Sequence, residues 1–258
     1  MTDDDTGWSL VGWHVDGPFR DRSFIGDDGG TPVTRFDGNP LEIIDTLNQG
    51  RFASFEINKI LQRQYLHNGG VIEPLIGLRY TQFKDSFTHT GTYQTFDLNA
   101  DGVLDTDLLV RSKGVIENNM LGAQVGCRIL KDVGHWQFNT QLRAFAMQNW
   151  EILESRNTSS STSTAGLQIL AVPTYADSHD QATVYGGELK MDFAYKFTRD
   201  ISLNFGFVLI DYGIGVGRAG VNNPTFNQNT FVLNSPAVTA QQQDLFMGGL
   251  TFGFNINH

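Results

Sequence analysis

Residues 97–108, which read DLNADGVLDTDL, carry the ligand types of a calcium-binding loop. In such a loop, side chains at the first, third, fifth and ninth positions supply oxygen, the seventh supplies its backbone carbonyl, and a glycine at the sixth permits a sharp turn. Gly102 stands at that sixth position. The candidate calcium ligands are therefore Asp97, Asn99, Asp101, Val103 and Asp105.

The twelfth position of this loop departs from the calcium-binding pattern. A bidentate glutamate belongs there, but the residue is Leu108, with Asp107 one place early. The missing ligand predicts weak binding, with a dissociation constant of roughly 10⁻⁴–10⁻³ M. Two interpretations stay open, a calcium ion that orders the loop and an acidic, turn-rich loop without metal. A paired-helix calcium module is excluded, because segments of strand periodicity approach from both sides.

Alternation of apolar and polar residues is the dominant pattern of the chain. Leu121, Val125 and Ile129 fall on one face of a strand, whereas Gln124 and Arg128 fall on the other. Eight segments are predicted as strands in this way, although Lys59 and Arg63 fall on the apolar side of the second. The segments cover residues 7–15, 52–65, 71–83, 118–130, 136–147, 184–197, 201–209 and 246–256.

Short and long connections alternate between these segments. Short turns fall at residues 67–70, 131–135 and 198–200. Long polar segments fall at roughly residues 16–50, 85–117, 151–181 and 213–243. Outer-membrane barrels have short periplasmic turns and long outer loops. We therefore expect one all-β domain over residues 1–258, an antiparallel up-and-down transmembrane β-barrel with about eight visible strands.

A soluble barrel or sandwich would turn the apolar face inward, whereas a transmembrane barrel turns it outward to lipid. Strands of about 13 residues, tilted near 45°, span a bilayer core of about 30 Å, which favours the membrane. Aromatic residues near the strand ends, such as Tyr80 and Trp136, also favour it. The polar face then lines the interior, where opposite charges would pair. The predicted lumen residues are Glu73, Arg79, Gln124, Arg128, Gln141, Arg143, Glu188, Lys190 and Asp192.

Three blocks of this chain resemble a known family. They are FEINKILQRQYLHNGGVIEPLIGLRYTQFKD, then NNMLGAQVGCRI with WQFNTQLRAFA, then GGELKMDFAYKFTRDISLNFGF. Together they resemble the putative beta-barrel porin family, type seven, over roughly residues 50–258. The resemblance implies an outer-membrane barrel with a pore function. Members of the family are typically longer and exported. Because the start MTDDDTGW is not a signal peptide, we expect a mature or N-terminally truncated form.

Several classes of function have no support in the sequence. The net charge of −10, without a Lys/Arg cluster, argues against nucleic-acid binding. With Cys127 as its single cysteine, the chain cannot form an internal disulfide bond or a cysteine-rich zinc site. The histidines are scattered, which argues against a histidine-based metal site. The GVGRAG stretch at residues 215–220 matches a dinucleotide-binding glycine pattern but precedes no helix. With no nucleophile motif or acid/base carboxylate pair, we expect no enzyme.

The expected function is that of an outer-membrane β-barrel protein, either porin-like or with a structural or surface role. Its partners would be the lipid bilayer and, for a pore, small solutes. An eight-stranded barrel has an interior that side chains alone can fill, which favours a plugged barrel, whereas additional strands would favour a pore. No cofactor is expected apart from a calcium ion in the loop at residues 97–108. The alternative is a soluble calcium-binding β-barrel or sandwich domain.

Overall fold

The computed structural model describes residues 6–23, 34–36, 39–96, 106–163, 168–170, 174–198, 201–221, 225–227, 232–234 and 238–256. Throughout these residues the chain forms strands joined by turns. None of the described segments contains a helix that could span a membrane. The all-β class predicted from alternation is therefore confirmed.

Within the described residues, eight long strands and five short ones follow one another. The long strands are β1 (Gly7–Ser23), β3 (Asn39–Ile60), β5 (Gly70–Phe96), β6 (Thr106–Val133), β7 (Trp136–Ser163), β9 (Thr174–Lys196), β10 (Ile201–Val221) and β13 (Val238–Ile256). The short ones are β2 (Thr34–Phe36), β4 (Gln64–Tyr65), β8 (Gln168–Leu170), β11 (Thr225–Asn227) and β12 (Val232–Asn234).

The long strands form one antiparallel sheet in the order β1-β3-β5-β6-β7-β9-β10-β13. Each long strand pairs with the next long strand of the chain, so the predicted up-and-down arrangement of eight strands is confirmed. The sheet curls into a half-barrel, in which β10 approaches β5 and β6 across the concave side. β1 and β13 form its edges, and no backbone pairing joins them within the described residues.

Alternation along each strand separates an outer convex face from an inner concave face. Leu78 on the outer face is 55 % exposed, whereas the next residue, Arg79 on the inner face, is 0 % exposed. The same contrast holds for Val125 and Gln124 on β6. We name the outward-facing apolar side chains the apolar belt. Its described members include Trp8, Leu10, Phe55, Ile57, Ile76, Leu78, Tyr80, Leu121, Val125, Leu142, Leu203, Phe205, Leu209, Phe246, Leu250, Phe252 and Phe254.

The apolar belt ends where charged residues replace apolar ones on the outer face. Arg51, Lys84 and Glu117 lie in one row of paired residues across β3, β5 and β6. Lys84 and Glu117 form an ion pair of 3.5 Å, and Arg51 bonds to Asp16 of β1 at 2.8 Å. We name the part of each strand that starts within three residues of this row and runs away from the short turns the outer level.

The strands are longer than expected, because β5, β6 and β7 have 27, 28 and 28 residues instead of about 13. Much of the predicted long segment at residues 85–117 is therefore paired strand, and the same holds for residues 151–163 and 213–221. The prediction was wrong because it ended each strand where the apolar alternation ended. Backbone hydrogen bonds between strands do not require an apolar face and continue beyond that point.

The two cations that did not fit the predicted strand at residues 52–65 have separate explanations. β3 ends at Ile60, so Arg63 lies beyond the strand and hydrogen-bonds to Glu73 at 2.5 Å. Lys59 faces outward beside Trp8, with its ammonium 5.3 Å from the ring centroid. The assignment of residues 61–63 to this strand was therefore wrong, and regular pairing with β5 resumes at β4.

Candidate functional site

Four charged side chains meet on the inner face behind the apolar belt. They are Glu56 of β3, Arg79 of β5, Arg143 of β7 and Glu188 of β9, which we name the charge layer. Arg79 donates from Nη2 to Glu56 at 2.7 Å and also to Glu188. Arg143 donates from Nη1 to Glu56 at 2.8 Å and to Glu188 at 3.1 Å. Each carboxylate therefore contacts both guanidinium groups, and the four charges sum to zero.

The charge layer is removed from solvent and supported by neutral groups. Arg79 and Glu56 are 0 % and 1 % exposed. The Arg79 guanidinium lies over the Phe145 ring, 4.7 Å from its centroid. Gln124 donates to Glu56 at 3.0 Å and to Asn58 at 2.6 Å. Buried charges need this degree of pairing, because an unpaired one would be very costly.

Small residues on β6 let the charge layer form across neighbouring strands. Arg79 and Glu188 lie on β5 and β9, which β6 and β7 separate in the sheet. Gly126 of β6 leaves room for Arg143, whose Cγ would lie 3.0 Å from an added Cβ. An added Cβ at Gly122 would lie even closer to Met147, at 2.5 Å from its Cα. A larger side chain at either position would displace β7.

Closer to the short turns, the inner face carries a second group of ion pairs. Glu73 is 1 % exposed and accepts hydrogen bonds from Arg63 and Arg128. Lys190 and Asp192 are neighbours on β9, with their charged atoms 3.6 Å apart. The cations Arg128 and Lys190 are 32 % and 39 % exposed and are therefore more accessible than the charge layer.

At the outer level, amide side chains hold β10 against the inner face. Asn118 of β6 donates to the Gly217 carbonyl at 2.9 Å and accepts from the Gly217 N–H at 2.7 Å. Asn149 of β7 donates to the Gly215 carbonyl at 2.8 Å and to Asn118 at 2.9 Å. We name Asn118, Asn149 and the two glycines the amide layer.

A bulge in β10 brings its backbone to the amide layer. The register between β10 and β13 shifts between Tyr212 and Val216, and the pairing of β10 with β9 stops at Tyr212. Gly215 has a φ of 120°, a conformation that favours glycine. Beyond the bulge, Asp85 accepts hydrogen bonds from the Arg218 side chain at 2.8 Å and the Ala219 N–H at 3.2 Å. β10 thus crosses the concave side and closes it at this level.

Glu151 lies beside the amide layer and outside the apolar belt. It pairs in register with Asn118, next to the Lys84–Glu117 ion pair that ends the belt. Its Oε1 accepts a hydrogen bond from Asn149 at 3.0 Å, while its buried Oε2 has no hydrogen-bond partner among the described residues. Burial raises the pKa of Glu151, and the neighbouring Asp180 carboxylate raises it further.

An apolar cluster fills the space between the charge layer and the amide layer. Tyr212 of β10 packs against Phe52 and Phe145, with ring centroids 5.5 and 5.0 Å apart. The Tyr212 hydroxyl lies 3.3 Å from that of Thr81. The buried members of the cluster are Phe52, Phe83, Met120, Phe145, Met147, Val184, Ile210, Tyr212 and Val216. Side chains of β3, β5, β6, β7, β9 and β10 therefore occupy much of the concave side from the charge layer to the amide layer.

All nine predicted lumen residues lie on the inner face. Arg79, Arg143 and Glu188 meet in the charge layer, with Gln124 beside them, and Gln141 accepts a hydrogen bond from Arg143 at 2.8 Å. Glu73 with Arg128 and Lys190 with Asp192 form separate pairs. Their assignment to a lumen stays a prediction, because it depends on a membrane setting.

Several inner-face residues were missed by sequence reasoning. Glu56 and Asn58 alternate with Phe55 and Ile57, so strict period-two counting would have identified them. Asn118 stood at the edge of a predicted strand, and its contact with a backbone 99 residues away has no local signal.

The proposed calcium ligands Asp97, Asn99, Asp101, Val103 and Asp105 lie outside the described residues. In the part of the chain that is described, no three His, Cys, Asp or Glu side chains come together as a metal site. Calcium binding by this loop therefore stays a prediction.

The family of this chain follows from a match to a family model. Residues 42–258 match the family described as Putative beta barrel porin-7 (BBP7), which confirms the resemblance seen in the sequence. The chain belongs to this BBP7 family. The BBP7 match includes every member of the charge layer and of the amide layer. No curated protein and no solved structure matches the chain.

Proposed function

We propose that this BBP7 chain spans the outer membrane as a β-barrel protein with a sealed interior and a structural or surface role. The observation that carries the proposal is the inversion of its two faces, with apolar side chains exposed outside and ion pairs buried inside. In water, the apolar belt would be exposed at an unfavourable free energy of roughly 25 cal/mol per Å². In a lipid bilayer, the same side chains would contact apolar acyl chains, so this cost would not arise.

Aromatic side chains at the turn end support the membrane setting. Trp136 and Phe197 are 48 % and 57 % exposed, and both contact Tyr195 edge-to-face. Amphipathic aromatic rings gather at the interface between lipid and headgroups. Trp150 and Tyr80, near the charged row that ends the apolar belt, are also exposed. The belt is thus bordered by aromatic residues on both sides, as in membrane barrels.

The side chains between the charge layer and the amide layer support a sealed interior. A water-filled channel needs a continuous polar path with exposed walls, as in the wider porins. Here the charge layer, the apolar cluster and the amide layer succeed one another, and all have buried side chains. Small solutes are therefore not expected to pass, despite the name of the family. The long strand ends of the outer level would instead present polar surface outside the bilayer.

Conductance in planar lipid bilayers tests this proposal. The full-length protein is folded into lipid, and insertion is checked by the slower migration of folded barrels on unheated gels. We expect inserted protein to show no stable current steps. Stepwise ohmic currents from inserted protein would contradict the sealed interior and support an open pore. A failure to insert, together with recovery in the soluble fraction, would contradict the membrane setting itself.

A further inference from the structure

A cavity of about 810 Å³ lies on the concave side between the two edges of the half-barrel. β1 lines one wall through Val11, Trp13 and Val15, whereas β10 and β13 line the other through residues such as Val208 and Met247. Glu56, Arg143 and Glu188 of the charge layer line part of this cavity but leave it open. The cavity therefore borders the charge layer on the same inner face.

The walls of this cavity suit an aliphatic chain. Trp13 stacks on Phe52 with ring centroids 4.7 Å apart, which holds its indole in place. Gly249 of β13 has no side chain to occupy the space between the walls, where an added Cβ would lie 3.2 Å from Val208. Apolar binding sites of this kind usually combine such walls with a few placed polar groups.

The accessible charges at this cavity are cationic. The carboxylates that line it, Glu56, Glu73 and Glu188, are at most 8 % exposed and are held by arginines. Arg128 and Lys190 also line it and are 32 % and 39 % exposed. Arg128 uses Nε and Nη2 on Glu73, and Lys190 meets Asp192 only at 3.6 Å. An entering ligand would therefore meet positive groups first.

We propose that this cavity binds a single-chain anionic amphiphile, a long-chain carboxylate. Its head group would contact Lys190 and Arg128, and its chain would lie along Val11, Trp13 and Val208. The volume lies within the roughly 300–1,000 Å³ of typical small-molecule sites, which suits one chain better than a two-chain phospholipid. This inference goes beyond the proposed function and does not depend on whether the interior conducts.

Quenching of Trp13 by a brominated fatty acid tests the proposal. A variant that keeps Trp13 alone, with Trp8, Trp136 and Trp150 replaced by Phe, is folded in detergent. It is titrated at alkaline pH with 9,10-dibromostearate and, separately, with the uncharged 9,10-dibromostearyl alcohol. We expect saturable quenching by the acid. Lys190→Gln should weaken the acid's affinity about tenfold, since a charged partner is lost, and leave the alcohol unaffected.

Lys84→Gln, at an exposed lysine of the outer face, is the matched control and should not change the affinity. Equal quenching by acid and alcohol in both variants would mean apolar partitioning alone and would overturn the proposal. Absence of saturable quenching would overturn it as well. In vesicles, equal quenching of Trp8 and Trp13 by brominated phosphatidylcholine would assign the cavity to bilayer lipid. Because Trp8 would still be quenched, that result would leave the membrane setting of the proposed function intact.

Discussion

The belt level and the outer level of this barrel use the same strands in opposite ways. At the belt level, Leu78 faces outward and Arg79 faces the charge layer. Six residues further along β5, Lys84 faces outward and Asp85 is buried beneath β10. The outer face thus changes from apolar to charged, while the inner face stays polar and buried at both levels.

The difference lies in what satisfies the buried polar groups. In the charge layer, side chains of four strands neutralise one another. In the amide layer, asparagines bind the backbone of β10, which reaches them through the bulge at Gly215. The first arrangement depends on balanced charge and the second on backbone geometry. Substitutions at the two levels should therefore differ in size and in pH dependence.

The largest effect is expected from removing a charge at the belt level. Arg79→Met leaves Glu56 and Glu188 with Arg143 as their remaining guanidinium partner. The free energy of unfolding should fall by about 3–5 kcal/mol, because buried carboxylates lose a neutralising charge. Urea unfolding in lipid vesicles measures it. Arg51→Met removes an exposed arginine and should cost less than about 1 kcal/mol. Equal losses for both variants would argue against the charge layer.

The second-largest effect is expected from a charge introduced on the outer face, because its cost in unfolding free energy should differ between the two levels. Leu78→Arg places a guanidinium in the apolar belt and should cost about 2–4 kcal/mol in lipid. Ser86→Arg makes a comparable change on the same face of β5, beyond Lys84, and should cost little. The free energy of unfolding from vesicles provides the measurement. If Leu78→Arg were tolerated as well as Ser86→Arg, the belt would not face lipid.

Removal of one amide should have a smaller effect. Asn118→Ala leaves the N–H and the carbonyl of Gly217 without their side-chain partner. We expect a loss of about 1–3 kcal/mol, because two buried backbone groups become unsatisfied. Asn119→Ala, at the next residue on the outer face, should cost less. Hydrogen exchange of the Gly217 amide should rise in the first variant alone, and unchanged exchange would disprove the role of Asn118 in holding β10.

The smallest effect concerns the pH dependence at the outer level. Because the pKa of Glu151 is raised on folding, the folded protein binds its proton more tightly than the unfolded chain. Its contribution to stability is therefore present at low pH and declines as pH rises through the window between the unfolded and folded pKa values. Glu151→Gln should flatten this decline, whereas Glu154→Gln, at an exposed position, should not. Unfolding curves measured from acidic to neutral pH give the decline for each variant. An equal decline in Glu151→Gln and Glu154→Gln would contradict the role of Glu151.

Sequence reasoning succeeded where the structure has a local signature. Alternation along residues 118–130 and 136–147 correctly predicted the hairpin of β6 and β7 and the face of each side chain. It failed on strand length, because apolar alternation marks the belt and not the paired backbone. It also missed the amide layer, since the contact of Asn118 with Gly217 depends on the curl of the sheet. Such contacts between distant strands have no counterpart in sequence spacing.

The proposed membrane orientation of the two faces is tested most directly on β1, which carries Trp8 outward and Trp13 inward. Trp8 is 68 % exposed in the apolar belt, whereas Trp13 stacks on Phe52. Variants with only one of these tryptophans are reconstituted into vesicles of brominated phosphatidylcholine. The account predicts strong quenching of Trp8 and weak quenching of Trp13. Protection of Trp8 from the brominated chains would contradict it.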